Sequence, residues 1–187
     1  MAGPMLLYED GKIQSAGHVL NPIPYDLYRH RSPDHVGAQN MLRVQREVSG
    51  VIAACALIRR SVFIDEQGIP EEEEWDADDA HATHAVVCNL AGMPLATARL
   101  ITHGLPAGHA KIGRMAVLRS SRGVGLGNQL LSALTDAAQA RGITDISLHA
   151  QTSAQGFYAR AGFAPQGPTF DEVGIPHIVM THTLTGP

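Results

Sequence analysis

The sequence predicts a single α/β domain, a mixed sheet with helices on both faces. Three observations lead there. Residues 41–48 (MLRVQREV) alternate with a period of two, as a strand does. Further on, Leu126, Leu130, Leu131, Leu134, Ala137 and Ala138 fall on one face of a helix. From Met41 onward the segments follow the order β-α-β-β-β-α-β-α-β-β.

Each element has a local reason. Residues 50–64 are apolar nearly all round, the mark of a buried helix. Ser49 is its candidate cap, and Gly68 and Pro70 end it. EEEEWDADDA (71–80) reads as an acidic loop. Such a run suits a solvated loop, and its sign also suits a funnel for a cationic amine. Trp75 within it reads as an anchor or as a cation–π platform. HAVVCNL (84–90) and PLATARLITH (94–103) read as strands joined by a hairpin-length loop, with AKIGRMAVL (110–118) as the third. Gly142 closes the long helix as its C′ residue. ITDISLHA (143–150) is a strand, and SAQGFYARA (153–161) a short helix closed by Gly162. GFAPQG and HIVMTHTL form a last strand pair around the loop FDEVGIP (170–176).

Residues 1–40 stand apart as an N-terminal extension, with the domain proper over 41–187. They carry a hairpin signal, LLYEDGKIQ, with Asp10-Gly11 at its turn. The Pro-rich NPIPYDLYRHRSPDH then favours an extended chain. Such an arm suits packing over the domain or on a partner subunit, so a homodimer is among the expectations.

Composition bounds the function. A chain of 187 residues with 44% hydrophobic and 17% charged residues builds one sizeable core. The net charge is −4, and no Lys/Arg run exceeds two residues, which argues against a nucleic-acid partner. The longest uncharged apolar run, 51–58, is far too short for a membrane span. The N-terminus has no secretory pattern. Two cysteines, Cys55 and Cys88, suit a reducing cytosol, so a cytoplasmic location is expected. His81 and His84 lack a third ligand at metal spacing, so no metal is expected.

The strongest chemical signal is RGVGLG, Arg122 to Gly127, between a strand and the amphipathic helix. Glycines there let the backbone approach a ligand and point successive N–H groups into one concavity. The helix N-terminus adds positive potential, and Arg122 offers a charged fork, so the loop suits phosphate. A P-loop would end in Gly-Lys-Ser/Thr, whereas this loop continues Gly127-Asn128-Gln129. A dinucleotide fingerprint would need G-x-G-x-x-G early in a βαβ unit, and the spacing here is G-x-G-x-G.

Four motifs carry a family resemblance. GRMAVLRSSRGVGLG (113–127) resembles the acyl-CoA loop of the GNAT N-acetyltransferase superfamily, with its R/Q-x-x-G-x-G/A core. FYARAGF (157–163) resembles that superfamily's FYxxxGF signature. VFIDEQGIP (62–70) and FDEVGIPH (170–177) look like its ElaA-like branch. The resemblance covers about 41–184 and does not reach 1–40.

It implies a mostly antiparallel sheet with a central parallel pair, 109–118 and 145–150, splayed to admit acetyl-CoA as acyl donor. The backbone of Met115, Ala116 and Val117 would pair with the pantetheine arm. The N–H groups of Arg122, Gly123, Val124, Gly125, Leu126, Gly127 and Asn128 would hold the pyrophosphate. Where many members carry Asn, this chain has Gln151, which donates and accepts likewise with a longer reach. Tyr158 matches the family's usual general acid, and Val117 N–H is the simplest oxyanion donor. Glu66 and His149 are the first candidates for the base, with Glu172 and His177 near the same mouth. The implied activity is acetyl transfer to a primary amine on a small molecule or peptide. A CoA-binding sensor with little catalysis is the alternative.

Overall fold

The computed structural model describes residues 6–7, 13–15, 19–20, 50–89 and 92–184. The expected strand at 41–48, the Ser49 cap, the Asp10-Gly11 turn and the Pro-rich stretch lie outside these residues. Near the start, β1 (Leu6–Leu7) pairs antiparallel with β2 (Ile13–Ser15). β3 (Val19–Leu20) runs parallel beside β4 (Thr83–Cys88). The sheet continues with β5 (Pro94–Ile101), β6 (His109–Val117), β7 (Asp145–Gln151), β8 (Ala164–Glu172) and β9 (Ile175–Thr183), in the order β3-β4-β5-β6-β7-β9-β8. Pairing is antiparallel from β4 to β6 and from β7 to β8, and parallel between β6 and β7.

Two helices sandwich this sheet. α1 (Gly50–Arg59) continues as a π-helix through Arg60–Glu66, so the expected single helix widens in its last turns. Gly68, at φ 72°, then turns the chain away. A one-turn helix, α2 (Glu71–Glu74), follows. α3 (Leu126–Gln139) buries Leu126, Leu130, Leu131, Leu134 and Ala138, the face its spacing defines. They pack against Ala98, Ile112, Ile146, Leu148 and Met180 of the sheet, together with Phe157 and Tyr158 of α4 (Gln155–Arg160). On the opposite face, Ala54, Cys55, Ile58 and Phe63 pack on Val86, Cys88 and Ala116. None of the described helices is long and apolar enough to cross a membrane.

The segment 170–176 is not a loop. β8 and β9 pair right up to Glu172 and Ile175, leaving Val173 and Gly174 as a two-residue turn. Both have positive φ, 53° and 74°, the geometry of a type I′ hairpin. Asp171 Oδ1 accepts the Gly174 N–H at 2.9 Å, an Asx-type bond that offsets the strain at Val173.

β6 carries the irregularity on which the site depends. Ala110 and Ile112 face the α3 side, whereas Ala116, of the same parity, packs on the α1 side. One extra residue must lie between them. The register agrees: Thr97 pairs with Ala116 and Arg99 with Gly113, so Arg114 and Met115 fall in the break. Arg114 sits at φ 50°, a left-handed conformation costly for a residue with a Cβ.

The acidic segment is only partly a solvated loop: Glu71 to Glu73 are exposed and Glu74 is buried, while Glu73, Glu74, Asp76 and Asp78 line a cavity, as a funnel for a cation would. Arg59 and Arg99 are 2% and 5% exposed, and the chain from Glu74 to Asp79 turns inward to meet them. Arg59 Nε bonds the buried Glu74 carboxylate, Nη2 donates to Glu74 O at 2.6 Å, and Nη1 to Asp79 Oδ1 at 2.7 Å. Arg99 reaches both oxygens of Asp76 and Asp79 Oδ1, each at 2.6 Å. Trp75 stacks on Arg59, whose Cζ lies 4.9 Å from the ring centroid, so its cation–π partner comes from the chain itself.

Removing one partner of a buried pair leaves an uncompensated charge. Glu74→Ala is expected to destabilise the fold by about 3–5 kcal/mol, and the exposed Glu72→Ala by no more than about 0.5 kcal/mol. Denaturant unfolding of both variants checks this. Equal midpoints would show that the network contributes nothing.

Candidate active site

The site begins where β6 and β7 part. They pair in parallel over His109–Asp145, Ala110–Ile146, Lys111–Ser147 and Ile112–Leu148, and no further. Beyond Ile112 the bulge turns β6 aside, while β7 runs on beside β9 to Gln151. A cavity of about 410 Å³ opens there. Met115, His149, Gln151 and Tyr158 line it together, joined by Glu172 and His177 from the β8–β9 hairpin. Four expected site residues thus line one cavity. Glu66 and Val117 are not among the lining residues.

Tyr158 presents its hydroxyl to the Met115 Sδ at 3.5 Å. Its ring packs edge-on against Phe157 and Phe163, with centroids 5.0 and 6.2 Å away. Burial pushes the phenol up to about 12. Across the cavity, His149 Nδ1 lies 2.9 Å from Glu172 Oε2. The His149 ring also sits edge-on to Phe170, which stacks on His177. Burial alone would raise Glu172, but the bond to His149 and the charges of His149, His177 and Lys111 outweigh it, so its carboxyl stays below the usual range. Gln151 Nε2 donates to Gln67 Oε1 at 3.0 Å, tying the end of β7 to the turn after the π-helix.

The glycine loop lies at the other end of the split. Gly123 and Gly125 adopt φ 81° and 87°. Gly125 is the N-cap of α3, and no side chain caps that helix. Its first N–H groups, those of Leu126, Gly127 and Asn128, therefore have no intrahelical or side-chain cap acceptor, as an anion site requires. Gly127 serves packing: a Cβ there would meet Phe157 Cζ at 3.0 Å.

Arg122 differs from expectation. Its fork grips Glu66, with Nη1–Oε1 and Nη2–Oε2 both at 2.7 Å, while Nε donates to Val117 O at 3.0 Å. The bond from Arg122 holds the Glu66 carboxyl below its ordinary value. The guanidinium thus joins the π-helix, the end of β6 and the start of the loop.

Sequence reasoning missed Arg114 and Gln67, which also line the cavity. A signal for Arg114 exists: the apolar parity of AKIGRMAV switches from Ala110 and Ile112 to Met115 and Val117, with Arg114 at the switch.

Comparison with known proteins agrees with this geometry. Residues 57–184 match the acetyltransferase (GNAT) domain family, and the chain belongs to it. Protein YyaT of Bacillus subtilis is 36% identical over 133 residues, 68% of this chain and 86% of that protein. Protein ElaA of Escherichia coli is 31% identical over 148 residues, 78% and 95% of the two chains. The crystal structure of ElaA superposes with a TM-score of 0.62 at 30% identity, covering 69% of this chain and 87% of that one. An acyl-CoA N-acyltransferase from Pseudomonas aeruginosa also gives 0.62, at 33% identity, covering 70% and 88%.

Gly127→Ala should cost about 1–3 kcal/mol by pushing Phe157 off its seat beside Tyr158. Gly113→Ala, where an added Cβ meets nothing within 4 Å, is expected to stay within about 0.5 kcal/mol of the parent. Thermal unfolding of the pair checks this, and the reverse order would contradict the packing described.

Proposed function

We propose that this protein moves an acetyl group from acetyl-CoA to a primary amine by direct attack. The observation that carries the reading is the split of β6 from β7, with the bulge, Tyr158 and the His149–Glu172 pair all facing one cavity. The uncapped start of α3 supports a pyrophosphate held by the N–H groups of Leu126, Gly127 and Asn128, with those of Gly123, Val124 and Gly125 beside them, while the Arg122 N–H points to Arg119 O at 3.5 Å. The β6 edge that β7 leaves unpaired beyond Ile112 supports a pantetheine arm bound like an added strand at Met115, Ala116 and Val117, where the arm would share the Val117 carbonyl with Arg122. Gln151 is a further contact on the same arm, exchanging its bond to Gln67 for one to the cofactor.

For the thioester carbonyl, the N–H of Met115 is the better donor than that of Val117. Met115 sits in the register break and lines the cavity beside Tyr158. A donor aimed at developing negative charge in a site poor in water contributes the largest share of such catalysis.

Tyr158 serves the departing sulfur. Full proton transfer from a phenol at about 12 to a thiolate of pKa ~8.5 would be uphill by roughly 5 kcal/mol. A hydrogen bond donated as the C–S bond breaks and charge develops on sulfur avoids that cost, and the thiolate takes its proton from solvent as it leaves. The Met115 thioether already occupies the acceptor position, so a sulfur atom fits there.

The amine must lose a proton, about 4.6 kcal/mol of work for a lysine-like group at pH 7. His149, with Nδ1 held by Glu172, presents its other ring nitrogen for this. Glu66 is the weaker candidate, because Arg122 engages both its oxygens and favours the ionised form that holds no proton and scarcely accepts one near neutral pH.

Acetyl-CoA at 100 times its Kd is expected to stabilise the protein by about 2.7 kcal/mol, read as a rise in Tm. Thiol release with a panel of primary amines then tests transfer itself. A rise in Tm without thiol release would leave a CoA-binding module, and no rise would remove the CoA reading.

Tyr158→Phe keeps the ring and removes the hydroxyl. Turnover should fall at least tenfold, the loss of one hydrogen-bond donor to the developing thiolate, with acetyl-CoA affinity unchanged. Turnover within a factor of two of the parent would make Tyr158 a packing residue.

A further inference from the structure

We infer that Arg114 is a positioning residue: the acidic segment grips its guanidinium and thereby holds the β6 bulge in the conformation that aims the Met115 N–H into the cavity. This rests on the reading above, in which that N–H meets the thioester carbonyl. Arg114 has φ 50°, a conformation that glycine takes freely and arginine does not. Nothing in its own backbone favours it, so the surroundings must. The acidic segment supplies them. Arg114 Nη2 donates to Glu73 O at 3.0 Å and to Asp76 Oδ2 at 3.2 Å. Nε lies 3.4 Å from Glu74 Oε2.

These acceptors belong to a segment that is itself immobilised. Glu74 is bonded by Arg59 from α1, and Asp76 by both Nη atoms of Arg99 from β5. The clamp on Arg114 therefore rests on two other buried arginines rather than on a mobile surface loop. Arg114 is one-quarter exposed and lines the cavity, so a direct contact with ligand is the competing role. Its Nη2 is already shared between two acceptors, and its Nε, buried without a hydrogen-bond partner, is turned to the Glu74 carboxylate 3.4 Å away, which favours the tether.

Backbone amide NMR of the full chain separates the two roles, with CoA and acetyl-CoA as probes. In the parent, both probes should shift the amides of Gly123 and Asn128, and acetyl-CoA should shift the Met115 amide beyond its response to CoA. In Arg114→Ala the loop response should persist while the acetyl-specific response of Met115 is lost. Arg114→Gly accepts φ 50° without strain, so it should fold readily and keep part of that response. A full Met115 response in Arg114→Ala would overturn the inference. Equal loss in both variants would also overturn it, since the guanidinium would then be touching the ligand. If CoA leaves Gly123 and Asn128 unmoved in the parent, the site reading fails, and this inference fails with it.

Discussion

Two guanidinium groups out of water set the terms for the rest of the molecule. Arginine does not shed its charge inside a protein, so Arg59 and Arg99 must be met by carboxylates or the fold carries a penalty of several kcal/mol for each. The segment 74–79 meets them, and its two most engaged acids respond in opposite directions. Glu74 is only 1% exposed, and burial raises its carboxyl despite Arg59, Arg114 and Arg99. Asp76 also feels burial first, but it stays one-third exposed and takes both Nη atoms of Arg99, so its carboxyl ends below the usual range. His84 completes the girdle: burial lowers its imidazole, and its Nε2 reaches Asp79 O at 2.9 Å. Through these bonds α1, β4, β5 and β6 share one anchor.

That anchor matters because the sheet alone does not make the site. A regular β6 would pair with β7 along its whole length and close the gap. The bulge breaks the parallel ladder after Ile112, and Arg114 at the break is bonded to the anchored segment. At the far end of the split, Arg122 ties the glycine loop to Glu66 on the π-helix. Each end of the opening is thus held by an arginine that reaches out of β6 or just beyond it.

Much of this could be read in the sequence. The spacing of Leu126, Leu130, Leu131 and Leu134 depends only on helix periodicity, and these residues are buried together. The order of elements from the first helix onward likewise follows from local patterns. The charge pairing could not be read that way. EEEEWDADDA looks solvated because its arginine partners on α1, β5 and β6 lie 15 to 41 residues away. The hairpin at Val173-Gly174 hid for a different reason: valine rarely takes positive φ, and only the bond from Gly174 N–H to Asp171 makes it tolerable there. The partner of Arg122 was equally hidden, being 56 residues upstream.

The environment around the cavity sorts its proton carriers. Burial makes Tyr158 a poorer acid, which suits a group that donates a hydrogen bond and keeps its proton. Glu172 stays ionised, which suits a group that holds an imidazole rather than one that takes a proton from an amine. Both shifts come from packing and neighbours, and on the proposed reading they leave the amine's proton to His149, whose Nδ1 lies against Glu172. On the proposed reading, the enzyme then needs no strongly acidic or strongly basic side chain. It needs a fixed N–H at Met115, a fixed hydroxyl at Tyr158, and an imidazole oriented by a carboxylate. All three depend on the geometry of β6 and β7 beyond Ile112 and Leu148, and so on the arginine-bound segment that holds β6 aside.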